Sequence, residues 1–341
     1  RSWRYNDSPL TVANVRTWNV FAGVDTVEVY SGDPAAPAAQ KVTEYTYYQG
    51  MNGDRASDSG GEKSVDVTGT SIADERWFAG QIHRQKTRNG VGGAILSDQV
   101  NTPWASAVTA DDGTRDARLT GVKKTVLTEP LSTGGNRTLE TRTTFDGTYG
   151  YPLTVSTIPS DAAGRCTTTS YAAANTDAWV IGLPSEVRTV AKTCADAGGA
   201  VFPQDLVSDV KTTYDGGAWG AAATRGLATS TQAVDRYTGS TPHWVGTGST
   251  TYDALGRALV TTDALGRTNS TAYTPAATFP LLSTVQTNTA PFSWATTTTF
   301  EPTTGTTASI TDPNGALTTI TVDALGRTSN VWLPLHTKAA F

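Results

Sequence analysis

The sequence predicts an all-β protein built from tandem antiparallel β-hairpins, laid side by side as one long curling sheet. Three observations predict it. The word Asp-Ala-Leu-Gly-Arg occurs at 253–257, 263–267 and 323–327, with a looser copy, Asp-Ala-Ala-Gly-Arg, at 161–165. Repetition of one word at intervals marks a repeat architecture. About 60 of the 341 residues are threonine and only 17% are charged, which suits hydroxyl-covered sheets better than a helical bundle. No stretch has the periodicity of an amphipathic helix of three or more turns.

The word has a physical reading as a hairpin. Ser249-Thr250-Thr251-Tyr252 favours extended chain. Asp253 opens a turn by bonding backbone N–H groups two residues on. Gly256 supplies the positive φ that a Cβ would strain. Arg257 re-enters a strand with 258–262, and pairs with Asp253 across the hairpin mouth. Asp263, Gly266 and Arg267 repeat this, as do Asp323, Gly326 and Arg327. Thr311-Asp312-Pro313-Asn314-Gly315 is a further turn, set by Asp312 and Gly315. Tyr252 and Tyr273 stand 21 positions apart, and Asp263 and Asp323 stand 60 apart. The unit is therefore about 20 residues, two strands and two turns.

Tyr-Asp-Ala-Leu-Gly-Arg, with Thr-Asp-Pro-Asn-Gly and a Thr-rich strand after it, resembles the YD repeat of RHS-repeat proteins, the bacterial relatives of teneurins. The match is best over 252–333. Weaker matches reach back to Thr144-Phe145-Asp146, Tyr171 and Thr213-Tyr214-Asp215. Residues 1–140 are not built of the unit, although Thr43-Glu44-Tyr45-Thr46-Tyr47-Tyr48 and 50–55 resemble the region before the repeats in actinobacterial RHS proteins. The expected organisation is a β-rich region, 1–140, running into YD hairpins over 141–341 as one continuous structure.

In chain order, 12–18 and 24–30 read as strands, 31–40 as a loop and 42–48 as a strand. Residues 50–62 form a Gly/Asp/Ser-rich loop. Further strands are expected at 65–67 and 77–86. From 118 to 157 the pattern is strand, turn, strand, turn, strand. Inserts at 172–184 and 216–225 interrupt the period. Nine Trp, 12 Tyr and 8 Phe argue against disorder.

Net charge is −5, so neither nucleic acid nor an anionic membrane is expected as a partner. No apolar run is long enough for a transmembrane helix. The chain opens on Arg1-Ser2-Trp3 and stops at Phe341, and is expected to be a piece of a larger protein. Cys166 and Cys194 are either two buried thiols or a disulfide. An even count in an extracellular β protein favours the disulfide.

Chemistry-bearing constellations are sparse. His83, His243 and His336 lack a second His or Cys at metal-ligand spacing, and His83 reads as a surface or sheet-face residue. No catalytic or nucleotide-binding motif appears. Asp111-Asp112 and Asp74-Glu75 are adjacent carboxylates, poorly placed for paired acid/base work. Asp54, Asp58 and Glu62 have calcium-type oxygens without the spacing of a calcium loop, and read as a solvated loop. Arg257, Arg267 and Arg327 are either a ligand stripe or turn-locking residues, and the second fits their spacing. The repeated Tyr and Phe are either a sugar-stacking ladder or sheet packing, and packing is preferred. The sequons at Asn136 and Asn269 carry no weight in a bacterial chain.

In the RHS family such a sheet spirals into a hollow shell around a C-terminal toxin. The resemblance implies a segment of a spiral β-shell that protects an effector of polymorphic-toxin type, with no enzymatic role and no cofactor. The implied partners are the remaining repeats and the enclosed effector of its own parent chain, and the implied location is extracellular or cell-surface. The family's autoproteolytic motif is only partly matched by Asp312-Pro313-Asn314-Gly315-Ala316, where another repeat follows, so no catalytic role transfers. The alternative is a secreted module that binds carbohydrate or cell-wall glycan through Trp3, Trp77, Trp104, Trp219, Trp244, Trp294 or Trp332.

Overall fold

Threonine and valine dominate the strands because β-branched side chains pack well on a pleated surface. In the computed structural model, which describes residues 2–113, 116–289 and 292–336, 51% of the chain is strand and no helix reaches seven residues. Nineteen strands belong to the main antiparallel sheet, and short separate pairs lie outside it. The chain divides into two units, 1–169 with 188–207 and 170–187 with 208–341.

In the first unit, Thr26–Ser31, Lys41–Tyr47, Ile82–Asn89, Ile95–Ala105 and Thr120–Pro130 pair in that order. Asn136–Phe145, Pro152–Pro159 and Arg165–Tyr171 continue the order. A separate short pair, Trp3–Tyr5 with Trp18–Phe21, precedes them. The core is small: Tyr48, Val67 and Phe78, with Ile72, Trp77 and Ala105 packed against it. Asp74, 3% exposed, organises the adjacent loop by accepting the N–H groups of Gln49, Gly50 and Met51 at 2.8, 2.9 and 3.0 Å. A buried carboxylate is tolerated there because its acceptor sites are filled.

In the second unit, Ala228–Thr238, Thr241–Tyr252, Ala258–Asp263 and Thr268–Thr274 follow the strand Leu206–Tyr214. Ser283–Asn288, Trp294–Phe300, Thr307–Thr311, Leu317–Val322 and Thr328–Trp332 complete it, each antiparallel to the one before. No described residue from 224 to 336 is fully buried. The strand Thr241–Tyr252 alternates exposed and half-buried positions along most of its length. Side chains along the strands between 224 and 336 are half-buried or exposed, and none of those described sits in a fully buried core.

The register shifts at Tyr214, Tyr252, Phe300 and Val322 in this unit, and at Phe145 in the first. Each is the residue before an acidic one, Asp215, Asp253, Glu301, Asp323 and Asp146. A bulge re-aims the side chain at that position and sharpens the local twist.

Three strand expectations are corrected. Residues 12–18 hold a 3-10 turn at Ala13–Val15, and the strand begins at Trp18. Val12 and Val15 are spaced by three and are 70% and 61% exposed, so they have no sheet face to bury. Residues 77–86 begin in a 3-10 turn, Arg76–Phe78, closed by the Phe78 N–H donating to the Glu75 carbonyl at 3.0 Å. Gly80, at φ +85°, separates that turn from the strand. Residues 65–67 make a single bridge, Asp66 with Ala73. The 50–62 loop contains a small hairpin, Arg55–Ser57 with Gly60–Glu62.

Candidate functional site

The repeat word folds the same way three times. Asp253 Oδ1 accepts the N–H groups of Leu255 and Arg257, both at 2.9 Å, and Oδ2 accepts Arg257 Nε at 2.6 Å. Asp263 accepts Leu265 and Arg267 at 2.9 Å each, with Arg267 Nε at 2.7 Å. Asp323 accepts Leu325 and Arg327 at 2.9 and 3.0 Å, with Arg327 Nε at 2.7 Å. Gly256, Gly266 and Gly326 sit at φ +82°, +77° and +76°. Asp312 makes the same backbone bonds, to Asn314 at 2.9 Å and Ala316 at 2.8 Å, with Gly315 at φ +80°.

The three copies differ in burial. The Arg257–Asp253 side chains are 14% and 13% exposed, against 65% and 39% at Arg267–Asp263 and 74% and 34% at Arg327–Asp323. Arg257 also lies 4.2 Å over the Tyr273 ring and donates to the Ala276 carbonyl. Arg225 donates to the Ala254 carbonyl at 2.9 Å. These arginines tie one turn to the next segment.

The tyrosines before the turns act the same way. Tyr214, Tyr252 and Tyr273 donate their hydroxyls to the carbonyls of Pro184, Ala228 and Ala258 at 2.8, 2.8 and 2.9 Å. Sequence reasoning did not find these bonds, because the acceptors are backbone atoms 15 to 30 residues away. It also missed the role of Asp215. This residue stands at φ +52°, and its carboxylate accepts the N–H groups of Thr224, Arg225 and Gly226 at 2.8, 2.8 and 3.1 Å and Leu227 at 3.0 Å. Burial pulls its pKa upward, but the backbone donors win and hold it at about 2.

The other candidates are scattered. Cys166 and Cys194 are joined by a disulfide. His83 is buried in its strand, with Nδ1 3.3 Å from the Tyr48 hydroxyl, and burial lowers its pKa. It is a sheet-face residue and not a surface one. His243 Nδ1 meets Asp235 at 2.7 Å. Asp54 is committed to the Tyr5 N–H at 2.9 Å and to Lys63 at 2.7 Å. Asp111 accepts the Gly113 N–H at 2.7 Å. Glu75 accepts Asn52 Nδ2 at 3.2 Å. Among the described residues, no group of three His, Cys, Asp or Glu is placed to hold a metal ion, and no helix is long and apolar enough to cross a membrane.

The tryptophans are spoken for in different ways. Trp104 stacks on Phe145 at 4.7 Å, and Trp77 carries the Arg118 guanidinium at 4.5 Å. Lys211 Nζ lies 4.2 Å from Trp219 and 4.0 Å from Trp244. Trp3 packs on Phe21 at 5.1 Å. Trp294 and Phe292 differ: they stack at 5.4 Å and are 56% and 59% exposed. They line a cavity of about 680 Å3 with Thr247, Arg267, Asn269 and Asn288.

No family model matches the chain, and no curated protein aligns with it. Solved structures do share its fold. The crystal structure of TcdB2-TccC3-Cdc42 matches at TM-score 0.62 and 14% identity, over 92% of this chain and 20% of that one. TcdB2-TccC3 without its hypervariable C-terminal region matches at TM-score 0.62 and 13% identity, over 97% and 21%. The Photorhabdus luminescens Tc holotoxin pore matches at TM-score 0.61 and 13% identity, over 92% and 20%. The chain thus spans about a fifth of the length of each.

Proposed function

We propose that this chain is a wall segment of an RHS-repeat shell that encloses a C-terminal toxin or effector for delivery in bacterial competition. The observation that carries the reading is the run of consecutively paired antiparallel strands in the second unit, in which no described residue from 224 to 336 is fully buried and three turns are locked by Asp–Arg pairs. A globular enzyme buries a core. A wall needs only continuous hydrogen bonding and stiff turns. The fold shared with TcdB2-TccC3 chains supports it, as does the resemblance of 252–333 to YD repeats. On this reading the chain performs no catalysis, is secreted or displayed at the cell surface, and has the rest of its parent chain as its partner. Limited proteolysis of the parent protein tests it. A C-terminal segment that resists protease until the parent is opened by denaturant supports the shell, and a segment cut at once argues against it.

One observation favours a second reading, glycan binding. The exposed Phe292–Trp294 stack stands beside amides and hydroxyls, the combination that holds a sugar ring. Glycan binding lost on Trp294→Ala is its test.

A further inference from the structure

The first unit carries a pocket of about 320 Å3 that the shell reading does not use. Its walls come from three segments that the sequence brings together for identifiable reasons. Trp3–Tyr5 pairs with Trp18–Phe21 and puts Trp3 on Phe21 and Tyr5 on Trp18, each at 5.1 Å between centroids. Arg4, between those two aromatics, points to the other face of the strand. The Tyr5 N–H donates to Asp54, which fixes this strand to the glycine-rich loop. Gly50, at φ +70°, lies so close to Arg76 that a Cβ would meet its backbone at 3.0 Å, and this sets Arg76 at the rim.

The lining is rich in cations. Arg4, Arg16, Arg55 and Arg76 face Asp7 and Asp54, an excess of two positive charges. Three of the four arginines have bonds of their own. Arg76 holds Asp7 at 2.6 and 3.2 Å. Arg55 donates Nε to the Ser57 carbonyl at 2.9 Å and lies 4.6 Å over the Tyr5 ring. Arg16 spends Nε on the Thr11 carbonyl at 2.9 Å. Arg4 is the exception: its Nε is buried with no hydrogen-bond partner. Burial and the Arg76 charge push its pKa down, and Asp54, Asp7 and Asp74 pull it back up without reversing the shift. Leaving a buried donor unmatched costs free energy, and Arg4 also lines the pocket, where its guanidinium can meet an anionic ligand.

We propose that this pocket binds a small carboxylate-bearing ligand, with Arg4 as its main charge partner and Arg16 beside it. A planar guanidinium fork matches a carboxylate, and the volume equals roughly ten waters of liquid. A phosphate dianion would call for two unmatched guanidinium groups, and Arg55 and Arg76 are already engaged. The carboxylate arrives either as a free small acid or on an acidic peptide side chain. The inference stands independently of the shell reading.

Isothermal titration calorimetry on the full chain at low ionic strength tests it, with succinate, acetyl-Ala-Asp-Ala-amide and inorganic phosphate as probes. Binding of succinate or the peptide, weakened at least about tenfold by Arg4→Gln, is the expected result, since one charge-assisted bond is worth that much. Tighter binding of succinate identifies a free acid, and tighter binding of the peptide an acidic segment. Arg16→Gln, expected to weaken binding less, serves if Arg4→Gln does not fold. Arg137→Gln, outside the pocket, is the control and leaves affinity unchanged. No binding of either carboxylate overturns the proposal, as does affinity unchanged in both pocket variants, or phosphate bound as tightly as succinate.

Discussion

The guanidinium of Arg257 lies 4.2 Å over the ring of Tyr273 while its Nε holds Asp253 at 2.6 Å. One side chain therefore closes its own turn and clamps the aromatic residue 16 positions further on. The pair is 14% and 13% exposed, whereas Arg267 and Arg327 in the equivalent pairs are 65% and 74% exposed. Exposed pairs contribute little because water and salt screen them. Arg257→Ala is therefore expected to lower stability at least about twice as much as Arg267→Ala or Arg327→Ala. Urea denaturation of the three variants checks this, and equal losses would remove the stacked clamp from the account.

Tyr252 donates its hydroxyl to the Ala228 carbonyl at 2.8 Å across 24 residues. Tyr252→Phe keeps the ring and removes the donor. A loss of about 0.5–1.5 kcal/mol is expected, read from denaturant midpoints at unchanged slope.

The disulfide Cys166–Cys194 joins two cysteines of the first unit that stand 28 positions apart. In the chain-entropy account, closing a loop of that size contributes about 3–4 kcal/mol. Cys166→Ala with Cys194→Ala is expected to lose that amount, and the wild type to match the double variant under reductant. Free thiols in the native protein under non-reducing alkylation would contradict the assignment.

Asp215 is held at about 2, below the ordinary 3.8. A carboxyl with a depressed folded-state pKa contributes stability above its unfolded value and loses it as pH falls toward the folded one. The window is therefore roughly pH 4 down to 2. Asp215→Asn tolerates the positive φ but loses acceptor capacity. The variant is expected to be less stable at pH 7, and the gap to wild type to narrow as pH drops through that window. A gap independent of pH would show that the carboxylate charge does not matter.

The hairpins were legible in the sequence because their determinants are local. Asp253 bonds N–H groups two and four residues on, and Gly256 stands between them. What lay beyond reach is long-range or set by backbone atoms. Asp74 gathers three N–H groups from 23 to 25 residues away, and nothing in Asp74-Glu75 announces it. Asp215 takes four backbone donors from the end of the 216–225 insert and the two residues after it. The valines at 12 and 15 looked like a strand, yet with no partner they settle into a turn. The unmatched Arg4 is visible only once the glycine-rich loop is folded beneath it.

The measurement that bears most directly on the shell is negative-stain electron microscopy of the intact parent protein. A closed hollow particle with density inside is the predicted result, and it makes this chain part of a container wall. A solid rod or an extended string would contradict the shell and leave the glycan reading in its place.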